Sequence, residues 1–139
     1  MTMLDPEIIA HKRMYAQDAF SQWLGIKIEE VRLGYCRASM EVREEMLNGF
    51  KIAHGGITYS LADSAFAFSS NSYGTHAVSI ETSISHTRKV KAGDKLVAIS
   101  QVKHRGNKTA IYEVEVRGSN DDVVALFNGT VYHLHTEWE

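Results

Sequence analysis

The stretch LNGFKIAHGGITYSLADSAFAF, from Leu47 to Phe68, combines a few polar residues with a long run of mostly uncharged ones. From Gly55 to about residue 72, apolar side chains recur at helical spacing and also fill much of the remaining circumference, which predicts a helix enclosed by protein on most sides. From residue 52 to residue 80 the only formally charged side chain, apart from two histidines, is Asp63. Since an unpaired buried carboxylate is costly, Asp63 either has a local partner or serves chemistry.

The rest of the chain predicts an α+β domain. Asp5 followed by Pro6 is the expected start of a short N-terminal helix, which should end near Phe20. Alternating apolar residues on either side of Gly34 predict two antiparallel strands between residues 26 and 43. Four further strands are predicted at about 76–90, 95–105, 109–118 and 123–134, separated by turn residues. A curved antiparallel sheet wrapped around the long helix accommodates this order as one domain over residues 1–139.

Composition excludes several classes of protein. A chain of 139 residues, 44% hydrophobic, suffices for one domain with one core. The net charge of -2 and the pI of about 6.4 provide no positive field for nucleic acid. No apolar run approaches the roughly 20 residues of a membrane helix. The single cysteine, Cys36, and an N-terminus without signal-peptide character favour a cytoplasmic protein, with Cys36 in the core.

The motif within the opening stretch is specific. It consists of Asn48, then His54-Gly55-Gly56 six residues on, and Asp63 eight residues after the first glycine. This combination resembles that of the hotdog-fold acyl-CoA thioesterases of the phenylacetic-acid-degradation type. The resemblance covers nearly the whole chain, including the segments GDKLVAISQVKHRGNKTAIYEVEV and VVALFNGTVYHL. It implies a hotdog fold and hydrolysis of phenylacetyl-CoA or ring-hydroxylated aryl-CoA thioesters to the free acid and coenzyme A.

The resemblance also implies a role for each residue of the motif. The backbone N–H of Gly55, at the start of the long helix, would donate to the thioester carbonyl, where negative charge builds as water adds. Asn48 would orient the thioester or the water, and His54 would order the loop or contact the substrate near its sulfur. Asp63 would be the general base or the nucleophile, which the sequence does not distinguish. Ser64 would hold the water or the product.

Coenzyme A carries phosphates, which require cations or free N–H groups. Two basic clusters at predicted loop ends are the candidates, and each could equally be solvated turn charge: Arg88, Lys89 and Lys91, and the run Arg105, Gly106, Asn107 and Lys108. In several relatives a proline follows the basic residue of the first cluster, whereas this chain has Lys89-Val90. No separate cofactor is expected, because coenzyme A is part of the substrate. No metal site is expected either, since His133 and His135, interpreted as a solvated strand end, lack a third ligand.

Other interpretations remain open from the residues alone. Asp63 could be a structural carboxylate bonded to Ser60 or Ser64. The domain could act on medium-chain acyl-CoA, could bind acyl-CoA without catalysis, or could be a dehydratase, although a dehydratase typically pairs a histidine with the carboxylate on the helix. Ser60 and Ser64 lie in no G-x-S-x-G motif, so no serine hydrolase is indicated.

Helix geometry predicts a site shared between two subunits. Gly55 and Asp63 lie eight residues apart, about 12 Å along one helix axis, which is too far for both to serve one acyl carbon. Two antiparallel helices across a two-fold axis would bring Gly55 of one subunit beside Asp63 of the other. The family resemblance implies such homodimers, usually paired into homotetramers.

Overall fold

A computed structural model describes residues 3–139. The chain begins with a helical segment that runs as α1 (Pro6–Ile8), a π-helix (Ile9–Met14) and a 3-10 turn (Tyr15–Gln17). The predicted start is confirmed, because the Asp5 carboxylate accepts the Glu7 N–H at 2.8 Å and Pro6 occupies the first turn.

The predicted end of this helix near Phe20 is wrong. The segment stops at Asp18, whose side chain caps a second helix, α2 (Ala19–Leu24), by accepting the Ser21 N–H at 3.0 Å. Gly25, with a φ of 76°, ends α2 in the left-handed conformation that glycine adopts without strain. An aspartate that can bond the backbone two or three residues on starts a new helix more readily than it continues an old one.

Six strands form one antiparallel sheet, in the spatial order β1-β2-β4-β5-β6-β3. The predicted hairpin and the four later strands are confirmed, although β3 stops at His86 rather than at residue 90. The strands are β1 (Lys27–Arg32), β2 (Tyr35–Glu41), β3 (Thr75–His86), β4 (Lys95–Arg105), β5 (Thr109–Arg117) and β6 (Val123–Glu137). A 3-10 turn, Glu44–Met46, precedes the loop that carries Asn48.

The long helix α3 (Gly55–Ser70) packs against this sheet, as predicted. Leu61, Phe66 and Phe68 are among its fully buried side chains. Gly129 on β6 lets Phe66 lie directly against the strand, since a Cβ there would come within 2.6 Å of the Phe66 ring. This close approach fixes how deeply α3 is seated and therefore where its N-terminus emerges.

One stripe of α3 is less covered than the rest. Gly56 is exposed, and Ser60, Asp63 and Ala67 are half-buried, at intervals of four, three and four residues. Residues at this spacing lie along one face of a helix. Asp63 therefore belongs to the face of α3 that its own sheet does not cover.

Two predictions about isolated side chains have different outcomes. Cys36 is fully buried, as predicted, and burial raises the pKa of its thiol to about 12. His133 is buried as well, with 4% of its surface exposed, so its interpretation as part of a solvated strand end is wrong. His133 lies on the inward face of β6 in phase with Val131, whereas His135, two residues on, is exposed and has a positive φ of 59° that breaks the alternation. Within residues 3–139 no helix is both long enough and apolar enough to cross a membrane.

Candidate active site

Asn48 organises the loop that leads into α3. Its side-chain oxygen accepts the backbone N–H of Phe50 at 2.9 Å and that of Ile52 at 3.4 Å. Its backbone N–H also donates to the Ile52 carbonyl at 2.8 Å, which closes the loop. The oxygen is thus committed to the fold, while the amide hydrogens have no acceptor among the described residues 3–139. Asn48 can therefore present an N–H donor, which its predicted role requires, and that role stays a prediction.

The first two N–H groups of α3 differ in whether a group of the chain already accepts them. His54 caps the helix, and its Nδ1 accepts the Gly56 N–H at 3.0 Å. The N–H of Gly55 donates to no group within the described part of the chain, and it lies at the positive end of a helix of 16 residues. Because His54 satisfies Gly56, the Gly55 N–H is the one left free to bind a carbonyl oxygen. With Nδ1 accepting, the neutral His54 ring carries its proton on Nε2.

A residue that the motif did not indicate lies beside Gly55. His86, the last residue of β3, is exposed, and a Cβ built on Gly55 would lie 3.1 Å from its Nε2. Its Nδ1 lies 3.1 Å from the Thr58 hydroxyl, which donates to the Gly55 carbonyl. No spacing rule links a strand end to a helix start 31 residues earlier, so only the fold brings these residues together.

Asp63 carries a carboxylate without a partner in the chain. Ser60 donates to the Gly56 carbonyl at 2.6 Å, and Ser64 bonds to Ser21, so neither serine satisfies Asp63. No other side chain within residues 3–139 hydrogen bonds or ion-pairs with it. The pKa of Asp63 is raised, mainly by burial and further by the negative charge of Asp18. The interpretation as a locally bonded structural carboxylate is therefore not supported by the contacts.

Ser64 takes part in a hydrogen-bonded chain that positions α2 beside Asp63. The Ser21 hydroxyl donates to Asp18 at 2.6 Å, so at the 2.8 Å contact between Ser21 and Ser64 it is Ser64 that donates. The Ser64 side chain is buried, at 9% exposure. Its proton is already used, so it could only accept a hydrogen bond from water or product.

An apolar cavity of about 340 Å³ opens next to the helix start. Phe20 and Trp23 from α2 form one wall, with their rings stacked at 6.2 Å between centroids and 15° between planes. Both side chains are 54% exposed, and the Arg43 guanidinium lies 5.1 Å from the Trp23 ring. The remaining lining comes from Glu45, Met46, Leu47, His54, Gly56, Ile57 and Ser60. The cavity is suited to a flat apolar group attached to a polar end near α3.

The first predicted basic cluster lies at the same end of the fold. Arg88, Lys89 and Lys91 lie two to five residues after His86 and line a cavity of about 500 Å³ with the turn between β5 and β6. Arg88 lies 3.9 Å from the Asp122 carboxylate, so its charge is partly offset. Val90, which follows Lys89 in this cluster, is buried, and its carbonyl accepts the Ala53 N–H at 2.7 Å. This bond fixes the basic loop against the loop of Asn48.

The second predicted cluster lies at the opposite end of α3. The Arg105 guanidinium stacks 3.9 Å from the ring of Tyr73, which follows the C-terminus of the helix. The Gly106 N–H is used in a bond to the Thr109 carbonyl at 2.8 Å, whereas Asn107 and Lys108 are exposed in the turn. Within one chain, therefore, the two clusters cannot both bind the phosphates of a coenzyme A whose thioester lies at Gly55. Among the described residues, no group of three or more His, Cys, Asp or Glu side chains is arranged to hold a metal ion.

Comparisons with known proteins bear on the same residues. A sequence model of the thioesterase superfamily matches residues 50–125. The chain is 42% identical over 125 residues to a putative esterase from Archaeoglobus fulgidus, which covers 90% of this chain and 81% of that protein. It is 40% identical over 121 residues to the acyl-coenzyme A thioesterase PaaI of Escherichia coli, which covers 87% of this chain and 86% of that protein.

Solved structures agree with the sequence matches. The structure of E. coli PaaI, from the phenylacetic acid degradation operon, superposes with a TM-score of 0.92 at 39% identity and covers 95% of each chain. A Streptococcus mutans protein solved with acetyl CoA superposes with a TM-score of 0.78 at 26% identity, covering 81% of this chain and 91% of that one. The six-stranded sheet around α3 is the predicted hotdog fold, and the chain belongs to the thioesterase superfamily.

Proposed function

We propose that the protein hydrolyses acyl-CoA thioesters with aromatic acyl groups, of which phenylacetyl-CoA and its ring-hydroxylated relatives are the first candidates, to the free acid and coenzyme A. The observation that carries this proposal is the free N–H of Gly55 at the positive end of α3, beside a neighbour already capped by His54. The names of the E. coli relative and of its operon support the substrate class for that protein.

The Gly55 N–H supplies the stabilisation that thioester hydrolysis needs most. As water adds to the carbonyl carbon, negative charge develops on the carbonyl oxygen, and a donor fixed at a helix N-terminus requires no reorganisation to meet it. Loss of one such donor typically costs about 2.7 to 4 kcal/mol of activation free energy. The amide hydrogens of Asn48, held in place through its bonded oxygen, orient the water or the thioester.

Asp63 supplies the carboxylate that acts as general base or nucleophile in the proposed reaction. It is half-buried and unpaired among the described residues, and its raised pKa makes it a better proton acceptor than an ordinary aspartate once it is ionised. Either it removes a proton from the attacking water, or it attacks the carbonyl carbon and forms an anhydride that water then hydrolyses. Both routes require the same ionised carboxylate, in contact with the attacking water in the first and with the acyl carbon in the second.

A site shared by two subunits reconciles these roles with the length of α3. Gly55 and Asp63 are about 12 Å apart along the helix axis, so one acyl carbon cannot contact both in one chain. Two exposed surfaces favour a two-fold dimer: the stripe of α3 that includes Asp63, and the edge strand β3, where Val78 and Ile80 are 43% and 58% exposed. Antiparallel packing of two α3 helices on this stripe places Asp63 of one protomer beside Gly55 of its partner.

Pairing of two such dimers into a homotetramer is a further part of the proposal. Apolar side chains on β5 and β6, including Ile111 and Leu126 at 44% and 46% exposure, lie on the face of the sheet that points away from α3. Such side chains favour burial against another surface. Sedimentation velocity on the purified protein distinguishes monomer, dimer and tetramer.

The cavity beside the helix start is the proposed site of the acyl group. A thioester whose carbonyl oxygen is bound at Gly55 can place its acyl group between His54 and the stacked rings of Phe20 and Trp23. Aromatic rings pack against aromatic rings with about 0.5–1.5 kcal/mol beyond the burial of area. An aryl substituent therefore gains more from this wall than a linear chain of similar size does.

The test is thiol release from a panel of acyl-CoA thioesters, followed with a thiol-reactive dye. Turnover of phenylacetyl-CoA and hydroxyphenylacetyl-CoA with a higher kcat/KM than octanoyl-CoA is expected, and the reverse order would assign the protein to medium-chain substrates. Hydration of crotonyl-CoA without thiol release would indicate a dehydratase. Saturable binding without any turnover would indicate an acyl-CoA binding domain and would overturn the proposal.

A further inference from the structure

The proposed hydrolysis leaves one titratable group beside the reacting atoms without a role. His86 ends β3, and its Nε2 would lie 3.1 Å from a Cβ on Gly55. Because two bonds of about 1.5 Å separate a Cβ from the backbone nitrogen of the same residue, Nε2 lies within about 6 Å of the Gly55 nitrogen. A carbonyl group that accepts the Gly55 N–H therefore has His86 as an immediate neighbour.

Thr58 determines which atom of the ring faces the substrate. The Gly55 carbonyl can only accept, so the Thr58 hydroxyl gives its proton to that carbonyl, 3.1 Å away. The His86 Nδ1, 3.1 Å from the same hydroxyl oxygen, must then be the donor in their contact. Thr58 is buried, with 3% of its surface exposed, so it is a fixed acceptor. The proton that the imidazolium form can release is consequently the one on Nε2, which faces Gly55.

The position of His86 in the chain indicates the side of the substrate that it meets. The basic residues Arg88 and Lys89, which are candidates for binding the coenzyme A phosphates, follow it within three positions and line the cavity of about 500 Å³. The cavity for the acyl group is lined by other residues, including His54 and Gly56. A thioester held at Gly55 therefore extends its acyl group past His54 and its sulfur and pantetheine arm past His86.

We propose that His86 is a further catalytic residue of the hydrolysis, acting as the general acid that protonates the departing coenzyme A sulfur. This inference rests on the proposed function. In this step the oxygen of water bonds to the acyl carbon, and the proton of that water passes to Asp63 of the partner subunit. The bond between carbon and sulfur breaks, its electron pair goes to sulfur, and sulfur takes the proton from His86 Nε2. Transfer of the proton from Asp63 to solvent and of one from solvent to His86 restores the site.

The dependence of rate on the leaving group tests this role. A thiolate of low basicity leaves without a proton, whereas the alkyl thiolate of coenzyme A gains from one. For His86→Phe, we expect kcat with phenylacetyl-CoA to fall at least about tenfold, towards the roughly 10²-fold contribution of a positioned acid, with KM changed less than about threefold. With the phenylacetyl thioester of 4-nitrothiophenol, the same variant should retain kcat/KM within about threefold of wild type.

Two further variants complete the design. His86→Gln keeps a polar side chain that can bond to Thr58 but has no acidic proton, and it should show the same selectivity between leaving groups as His86→Phe. His11→Gln removes an exposed histidine whose ring, among residues 3–139, bonds only to Glu7, and it should leave both substrates unaffected. Circular dichroism and thermal melts of each variant establish that the fold is retained.

The outcomes separate this inference from the proposed function. Equal losses with both thioesters, or no loss with either, would show that His86 is structural or uninvolved, while wild-type turnover of phenylacetyl-CoA would still support the proposed function. A wild type that releases no thiol from any acyl-CoA would overturn both.

Discussion

A mixture of two inactive variants measures whether the site is shared between subunits. Asp63→Asn removes the proposed base or nucleophile. Asn48→Asp is the better partner than Asn48→Ala, because it retains the oxygen that accepts the N–H groups of Phe50 and Ile52 and removes only the amide hydrogens. Each variant alone should lose at least about 10²-fold in turnover, the typical contribution of a positioned general base or oxyanion donor.

The expected recovery follows from the separation of Gly55 and Asp63 by about 12 Å along α3. If Asn48 and Gly55 of one protomer act with Asp63 of its partner, a mixed dimer has both defects in one site and none in the other. Random pairing makes half of the dimers mixed, so jointly refolded variants should recover about a quarter of wild-type activity with phenylacetyl-CoA. If each site came from one chain, every site would hold a defect and nothing would be recovered. Association of dimers into tetramers does not alter this count.

A matched control uses the two substitutions in one chain, Asn48→Asp with Asp63→Asn, refolded with an equal amount of wild type. A shared site leaves both sites of each mixed dimer defective, so about a quarter of the activity remains, whereas single-chain sites leave about half. Two affinity tags verify that mixed dimers are present. Mixed dimers that remain inactive in the first experiment, together with half-activity in the control, would refute the shared site.

Three further predictions follow from contacts within one chain. Asp63→Asn should melt at a higher temperature than wild type at pH 7, because burial and then the charge of Asp18 raise the pKa of Asp63 and make its ionised form destabilising. Since this penalty exists only when the carboxylate is ionised, the difference should disappear below the ordinary pKa of 3.8, and a difference that persists in acid would contradict the cause. Gly55→Ala should fold with a change in stability under about 1 kcal/mol, since glycine at this position has no positive φ and the methyl meets only the end of the exposed His86 side chain. Its kcat/KM should nevertheless fall by about 10²-fold or more as the methyl and the displaced ring crowd the carbonyl, and wild-type kinetics would mean either that the Gly55 N–H is not the oxyanion donor or that the position has room for a methyl group. Trp23→Ala should raise KM for phenylacetyl-CoA more than for acetyl-CoA, because only the aryl group reaches the stacked rings, and equal effects on the two substrates would move the acyl group elsewhere.

The order and type of the long elements could be predicted because each has a single dominant period. The alternation in β2 indicates a strand with one face towards the core, and the apolar residues around α3 indicate a helix buried on most sides, and the fold satisfies both at once. The break at Asp18 could not be read in this way, since the apolar pattern continues through it. Whether one helix continues through Asp18 or a new one begins there depends on two competing arrangements, two helical backbone bonds or one side-chain cap. Their free energies differ by about 1 kcal/mol. The burial of His133 was missed for a similar reason, because one polar residue on the inward phase of β6 does not interrupt the period.

The spacing of the motif indicated its residues, but it did not indicate which of their atoms are bonded within the loop and which remain free. The order Asn48, His54, Gly55 does not reveal that the Asn48 oxygen is bound within its own loop or that His54 satisfies Gly56. Those bonds cross two to four residues and depend on backbone angles, such as the positive φ of 61° at Lys51, that composition does not specify.

The donors and acceptors that remain free after these local bonds are the groups that the proposed hydrolysis uses. Each polar group of the loop has two possible uses, to hold the loop or to meet the substrate, and a bond already made inside the chain excludes the second use for that atom. By this criterion the Asn48 amide hydrogens, the Gly55 N–H and the Asp63 carboxylate are available, whereas the Gly56 N–H and the Ser64 proton are not. Asn48 and Gly55 lie at the N-terminal end of α3, in the loop before it and at its first residue, whereas Asp63 lies about 12 Å further along the helix. A single chain therefore presents two halves of the proposed site, and in the proposed dimer a second copy supplies the other half.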